Sequence, residues 1–176
     1  MLLKVGTDLF RVLELQHVTP GNLRGFVRVK FRNIRTSAVS DQKLRSEDTL
    51  DRATLEQRDM QYLYKDGSDY VFMDGSTYDQ IHIPEATVGD VANYLLENQM
   101  AQVATHDGTV LYVELPTSVI LEITYTEPGL QGDRSTGGTK PATVETGYEM
   151  QVPLFVEQGT KVKVDTRSGD YLGRVS

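Results

Sequence analysis

Three cations spaced two apart carry the clearest chemical signal. In Arg24-Gly25-Phe26-Val27-Arg28-Val29-Lys30-Phe31-Arg32, charged and apolar side chains alternate. This predicts a β-strand with an apolar face of Val27, Val29 and Phe31 and an opposite face of Arg28, Lys30 and Arg32. Residues two apart on a strand repeat at about 6.7 Å, so the row can meet a series of phosphates. An ordinary solvated strand face fits the same pattern. The preceding stretch, Thr19-Pro20-Gly21-Asn22-Leu23-Arg24-Gly25, reads as a hairpin tip. Its Pro-Gly pair predicts a tight turn with Gly21 able to supply positive φ, and a plain connecting hairpin is the alternative.

Two further stretches are candidates for anion contact. The polar segment from Gly132 through Asp133, Gly137 and Gly138 to Lys140 is rich in glycine, whose exposed N–H groups can cradle phosphate. It lacks the GK[ST] ending of a P-loop, and a connector is the other reading. Nearer the C-terminus, Lys161, Lys163, Asp165 and Arg167 alternate with Val162, Val164 and Thr166, again a strand with one charged face.

Nothing in the sequence argues for catalysis. His17, His82 and His106 are scattered and form no HxxxH-type metal pair. No GxSxG elbow, Walker A motif or dinucleotide fingerprint occurs. With no Cys among 176 residues there is no disulfide, no thiol nucleophile and no Cys-ligated zinc. The expectation is no catalytic residue, no metal and no cofactor. Aliphatic runs are too short to span a membrane, and no basic stretch and apolar h-region follow Met1. Cytoplasmic location is therefore the default.

The elements that must position these residues are mostly strands. Period-two runs predict strands at 2–5, 9–16, 24–32, 38–45, 60–64, 69–74, 78–83, 100–105, 110–115, 119–126, 149–152, 160–166 and 170–175. One helix is expected over 88–97, capped by Thr87, with Val88, Val91, Ala92, Leu95 and Leu96 on one face. Breaks near Ala53 and Pro116 divide the chain into 1–53, 54–116 and 117–176. Lys and Arg total 18 against 25 Asp and Glu, a net charge of −7, which taken whole disfavours a nucleic-acid partner. The three segments differ sharply, at +4, −9 and −2. Short strands in segments of about 60 residues suit small β-barrels.

Several stretches in order resemble the bacterial elongation factor P family. They are Thr-Pro-Gly-Asn-Leu-Arg-Gly-Phe-Val-Arg-Val-Lys-Phe-Arg-Asn (19–33), Gln-Tyr-Leu-Tyr-Lys-Asp-Gly (61–67), Tyr-Val-Phe-Met-Asp (70–74), Glu-Pro-Gly-Leu-Gln-Gly-Asp (127–133), Thr-Lys-Pro-Ala-Thr-Val-Glu-Thr-Gly (139–147) and Val-Pro-Leu-Phe-Val (152–156), closing with Lys-Val-Asp-Thr-Arg-Ser-Gly-Asp-Tyr-Leu-Gly-Arg-Val (163–175). The resemblance spans essentially the whole chain. It implies a mainly β protein of three small barrels in series: an SH3-like or KOW-like N-terminal domain at 1–53, then two OB-folds at 54–116 and 117–176, arranged in an L. It implies a monomer that binds the ribosome between the P and E sites and relieves stalling at consecutive prolines. Peptidyl-tRNA in the P site is the implied partner, with mRNA at the E site as a further contact and no membrane.

Carried over by position, Pro20, Gly21, Asn22, Leu23, Arg24 and Gly25 form the tip aimed at the tRNA acceptor end. Arg28, Lys30 and Arg32 lie along tRNA backbone. Gly132, Asp133, Gly137, Gly138 and Lys140 face the E-site codon or small subunit, and Arg167, Tyr171 and Arg174 meet RNA on the anticodon side. Two departures stand out. The family tip usually carries a modified Lys or Arg where this chain has Asn22, which implies an unmodified tip. Met1 also aligns about ten residues into the family pattern, which implies that the usual first segment of the N-terminal barrel is missing. The alternatives are the elongation-factor-P-like paralogue and a stand-alone OB-fold binding single-stranded nucleic acid.

Overall fold

The computed structural model describes residues 1–22, 24–45, 48–129 and 138–175. Among these, fifteen strands form three five-stranded sheets that follow one another along the chain. The first contains β1 (Leu2–Val5), β2 (Asp8–Val18), β3 (Phe26–Asn33), β4 (Val39–Leu44) and β5 (Asp51–Arg52), ordered β4-β3-β2-β1-β5. The second contains β6 (Glu56–Asp66), β7 (Asp69–Asp74), β8 (Gln80–Pro84), β9 (Met100–His106) and β10 (Thr109–Glu114), ordered β10-β9-β6-β7-β8. The third contains β11 (Ser118–Thr126), β12 (Thr139–Val144), β13 (Glu149–Pro153), β14 (Lys161–Asp165) and β15 (Tyr171–Val175), ordered β13-β12-β11-β14-β15. Every pairing in the first and third sheets is antiparallel. The expected mainly β architecture is therefore present.

Alternation builds each core. In the third sheet Leu121, Ile123, Val144, Val152, Val162 and Val164 are almost completely buried, each on the inward phase of its strand. In the second, Met60, Tyr62, Ile83 and Val103 are buried, β7 is buried on both faces through the consecutive Tyr70, Val71 and Phe72, and Tyr62 packs its ring 5.4 Å from Phe72. The first sheet has a smaller core around Leu2, Leu3 and Val29, with Phe10 and Phe31 edge-to-face at 5.1 Å. By compactness the chain divides into two units, Met1–Gln57 with Ala104–Leu111, and Arg58–Val103 with Tyr112–Ser176.

Three local expectations are corrected. The helix over 88–97 is instead a single turn, α1 (Glu85–Val88), followed by a 3₁₀ segment at Gly89–Tyr94. Gly89 adopts φ +61°, which ends regular helix, and Pro84 rather than Thr87 occupies the N-cap with no side-chain capping bond. Tyr78 is not strand: at φ +62° it belongs to the turn that Asp74 organises. Finally, β12 was not anticipated, because Lys140 and Pro141 break its apolar run.

Candidate functional site

The tip joins β2 to β3, whose last pair is Val18 with Phe26, leaving residues 19–25 outside the ladder. Gly21, Asn22, Arg24 and Gly25 are exposed and Pro20 is half-buried; Leu23 lies outside the described residues. Gly21 does not take the positive φ expected of it, and a Cβ there would meet only open space. Gly25 is tighter, since its Cβ would come 3.3 Å from the Val18 carbonyl oxygen.

Below the tip, β3 behaves as its alternation predicts. Val29 is buried and Phe31 half-buried, while Arg28, Lys30 and Arg32 are exposed. Register adds what a single strand does not reveal. Arg28 stands between Gln16 and Lys43, Lys30 between Glu14 and Asp41, and Arg32 between Arg11 and Val39. A bulge near Leu13 produces this arrangement: β2 shifts register between Val12 and Glu14, so that Glu14 rather than Leu13 opposes Lys30. Glu14, Gln16, Arg28, Lys30 and Asp41 line a shallow polar depression of about 240 Å³. Glu14 and Asp41 thus flank Lys30 directly across the two pairings, and share the depression with Arg28. Lys43, whose Nζ lies 4.1 Å from the Phe26 ring centroid, joins this basic face and was missed. The alternation in Val39-Ser40-Asp41-Gln42-Lys43 was the available signal, but only the pairing shows which cation it accompanies.

The glycine-rich stretch is described only in part. Gly132, Asp133 and Gly137 lie outside the described residues, and Gly138 is exposed. Lys140 is not a surface contact: it sits in β12, is 7% exposed, and its Nζ donates to the Glu127 carbonyl at 2.6 Å. Its cation tethers the two ends of this connection instead of facing outward.

The three C-terminal residues have separate partners. Arg167 is exposed and sends Nε and Nη2 to the two carboxylate oxygens of Asp165 at 3.4 and 3.2 Å. That side-chain bond, with the Arg167 N–H donating to Oδ1, holds the Asp165 carboxyl below its usual range. Tyr171 is half-buried opposite Val164, and Arg174 lies opposite Val162 with its guanidinium 4.9 Å from the Phe155 ring. The closing motif is also structural. Thr166 donates its hydroxyl to Pro116 and its N–H to Thr117, and Gly169 packs beside Tyr94 and Tyr148.

Among the described residues no group of three or more His, Asp or Glu could hold a metal, and no helix is long and apolar enough to cross a membrane. His106 has a structural partner, with Nδ1 at 2.6 Å from the Thr54 carbonyl.

Three family models match the chain in succession: the elongation factor P KOW-like domain over residues 1–50, the elongation factor P OB domain over 55–113, and the elongation factor P C-terminal domain over 119–174. The elongation factor P of Kocuria rhizophila is 62% identical over 175 residues, covering 99% of this chain and 94% of that protein. That of Paenarthrobacter aurescens matches at the same identity and coverage. Among solved structures, a eukaryotic translation initiation factor 5A from Methanococcus jannaschii aligns with a TM-score of 0.42 and 16% identity, over 64% of this chain and 86% of that one.

Proposed function

The chain belongs to the elongation factor P family, and on that premise we propose that it binds the ribosome between the P and E sites and holds peptidyl-tRNA for peptide-bond formation at consecutive prolines. The observation that carries this reading is one hairpin, β2–β3. It presents the exposed Gly21, Asn22, Arg24 and Gly25 beyond the ladder and, on the strand that follows, the outward cations Arg28, Lys30 and Arg32. Cations along a strand suit a phosphodiester backbone, and a small exposed tip suits the acceptor end beyond it. We assign the three segments 1–53, 54–116 and 117–176 as its domains, with Gly132, Asp133, Gly137 and Gly138 toward the E-site codon and Arg167, Tyr171 and Arg174 toward the anticodon side. The factor acts as a monomer in the cytoplasm.

The mechanism needs no catalytic group in the chain. Proline has a fixed φ and reacts poorly. A factor that restricts peptidyl-tRNA to a reactive pose lowers the entropic part of the barrier, and a tenfold gain requires only about 1.4 kcal/mol. Asn22 stands at the exposed turn and offers a neutral amide that both donates and accepts. It acts unmodified, because an amide takes neither lysylation nor the rhamnosylation applied to arginine.

The test is a reporter with three consecutive prolines in cells whose own factor is deleted. Expression of this chain should restore full-length product; continued stalling, with the protein present at normal abundance, overturns the reading. Intact-mass measurement of the purified native protein should show no adduct on Asn22.

A further inference from the structure

We infer that the loop 165–170 is a clamp whose inward residues, Thr166 and Gly169, fix the third sheet against the second, and that Tyr94, Tyr148 and Thr146 complete it as positioning residues. The clamp stands on contacts within one compact unit. Its value for ribosome binding rests on the function proposed above.

One six-residue loop closes a hairpin in each sheet, at 33–38, 74–79 and 165–170. In all three the first N–H donates to the sixth carbonyl at 2.9 Å, and the fifth N–H donates back to the first carbonyl at 2.8, 3.0 and 2.8 Å. The first side chain, Asn33, Asp74 or Asp165, accepts the third N–H at 2.8, 2.7 and 2.8 Å. The fourth hydroxyl, of Thr36, Thr77 or Ser168, accepts the sixth N–H at 3.3 Å in each. The fifth residue always has positive φ: Ser37 at +63°, Tyr78 at +62° and Gly169 at +81°. Ser37 and Tyr78 are exposed and keep their side chains, so the loop itself bears the cost of that conformation without glycine. Gly169 differs in being buried, and a Cβ there would lie 2.6 Å from the Tyr148 hydroxyl and 2.9 Å from that of Tyr94. The glycine is therefore demanded by what packs on the loop, not by the turn.

That neighbour joins two sheets. Tyr94 ends the 3₁₀ segment that follows the second sheet's β8, and Tyr148 lies between β12 and β13 of the third. Their rings pack edge-on at 5.3 Å and their hydroxyls are hydrogen-bonded. Beside them Thr146 donates its hydroxyl to the Asn93 carbonyl. A further attachment holds the connection between the sheets: Thr166 donates its hydroxyl to the Pro116 carbonyl at 2.6 Å and its N–H to the Thr117 carbonyl at 3.0 Å. Two folded bodies joined by one short connection swivel by default. Here the connection is pinned, and contacts from a separate segment, at 146–148, oppose rotation about it. Arg167 belongs to the same loop but is exposed and forked onto Asp165. One loop thus turns two residues inward to hold the sheets and presents a third outward, so the clamp fixes the direction in which Arg167 is offered. Fixing it before binding removes an ordering cost that binding would otherwise bear.

The chain has no Cys, so Gln80→Cys on β8 and Lys161→Cys on β14, both exposed, place one spin label on each sheet. Double electron–electron resonance on the full chain should give one narrow distance distribution. Gly169→Ala should broaden it, and so should Thr146→Val with Thr166→Val, which removes only the two hydroxyls should the first variant fold poorly. Thr146→Ser with Thr166→Ser should keep it narrow, as should Arg167→Gln. Amide spectra retaining the dispersion of each sheet show that both remain folded. If broadening leaves about a tenth of molecules correctly oriented, affinity for ribosomes carrying peptidyl-tRNA falls about tenfold, and the serine pair restores it.

A distribution that stays narrow in the double valine variant overturns the clamp, and so does equal broadening by Arg167→Gln. Broadening with unchanged ribosome affinity overturns the positioning role. The polyproline reporter separates this from the functional reading: the expected distances and affinities without rescue by the wild type sink the functional reading alone.

Discussion

At the scale of single residues, two buried contacts make the family's sequence motifs structural as much as functional. Gly169 has φ +81°, and a Cβ placed there would lie 2.6 Å from the Tyr148 hydroxyl and 2.9 Å from that of Tyr94. These rings are themselves packed edge-on at 5.3 Å, and burial, then the hydrogen bond to Tyr148, pushes the Tyr94 hydroxyl well above the usual tyrosine range. Neither ring can swing away freely. Gly169→Ala should therefore combine left-handed backbone strain with a clash and cost about 2–4 kcal/mol in urea unfolding. Gly21→Ala, with no positive φ and open space around it, should stay within about 0.5 kcal/mol. Equal effects from the two would contradict this account of Gly169. Lys140 gives a second test. Lys140→Met keeps most of the buried stem but deprives the Glu127 carbonyl of its donor, a loss of about 1–3 kcal/mol. The exposed Lys163→Gln in the same sheet should cost less than about 0.5 kcal/mol. A larger loss for Lys163→Gln would remove the special role assigned to burial.

At the scale of elements, turns are anchored by carboxylates, and this makes one of them pH-sensitive. Asp74 ends β7 and accepts the N–H groups of Ser76 at 2.7 Å and Thr77 at 3.2 Å through Oδ1, while Arg58 reaches Oδ2 at 3.4 Å. The two backbone bonds, ahead of the arginine, lower its carboxyl below the ordinary carboxylate value. A depressed carboxyl stabilises the fold fully above its unfolded-state value, near pH 4, and the stabilisation is lost as pH falls through the lower folded value. Asp74→Asn keeps an acceptor at Oδ1 but does not titrate. The stability gap between wild type and this variant should be widest near neutrality and close below about pH 4; a gap constant from pH 7 to pH 2 would show that no titration is involved. Elements were legible where apolar residues alternate without interruption. The β3 strand follows from its own residues, since burial on one face demands period two, and β7 from a short apolar run, Tyr70 to Met73, bounded by the Asp66-Gly67 and Asp74-Gly75 turns. What escaped depends on neighbours. The bulge near Leu13 leaves no local mark in Asp8–Val18, yet it decides that Glu14 faces Lys30. Pro141 disguises β12 because it cannot donate to the ladder, although its carbonyl accepts the Thr126 hydroxyl. The site was legible to the same extent: the row Arg28, Lys30, Arg32 belongs to one strand and was visible, whereas Lys43 and Arg11 join it only through register. Lys140 was misplaced outward because a lysine in a polar stretch gives no sign of burial.

At the scale of the whole molecule, a net charge of −7 averages over segments of opposite sign, because the charge is segregated along the chain. Residues 1–53 carry ten Lys and Arg against six Asp and Glu, and residues 54–116 carry two against eleven. A polyanion that approaches the first segment meets a net positive charge, whereas one that approaches the second meets repulsion. The acidic segment can thus suppress unproductive RNA contacts while leaving the basic face available. Asp79, Asp90 and Glu97 are exposed members of that segment, and Asp79→Asn, Asp90→Asn and Glu97→Gln together remove three negative charges without touching the core. If repulsion is their role, the triple variant should bind an unstructured polyuridine several-fold more tightly than wild type at about 50 mM salt. The difference should fade at about 0.5 M, where the screening length falls to a few ångströms. Binding to the programmed ribosome should change far less than binding to polyuridine. A triple variant with no gain for polyuridine at low salt would mean that the acidic surface does not guard against RNA, and its charge would then have to be explained by a basic partner instead.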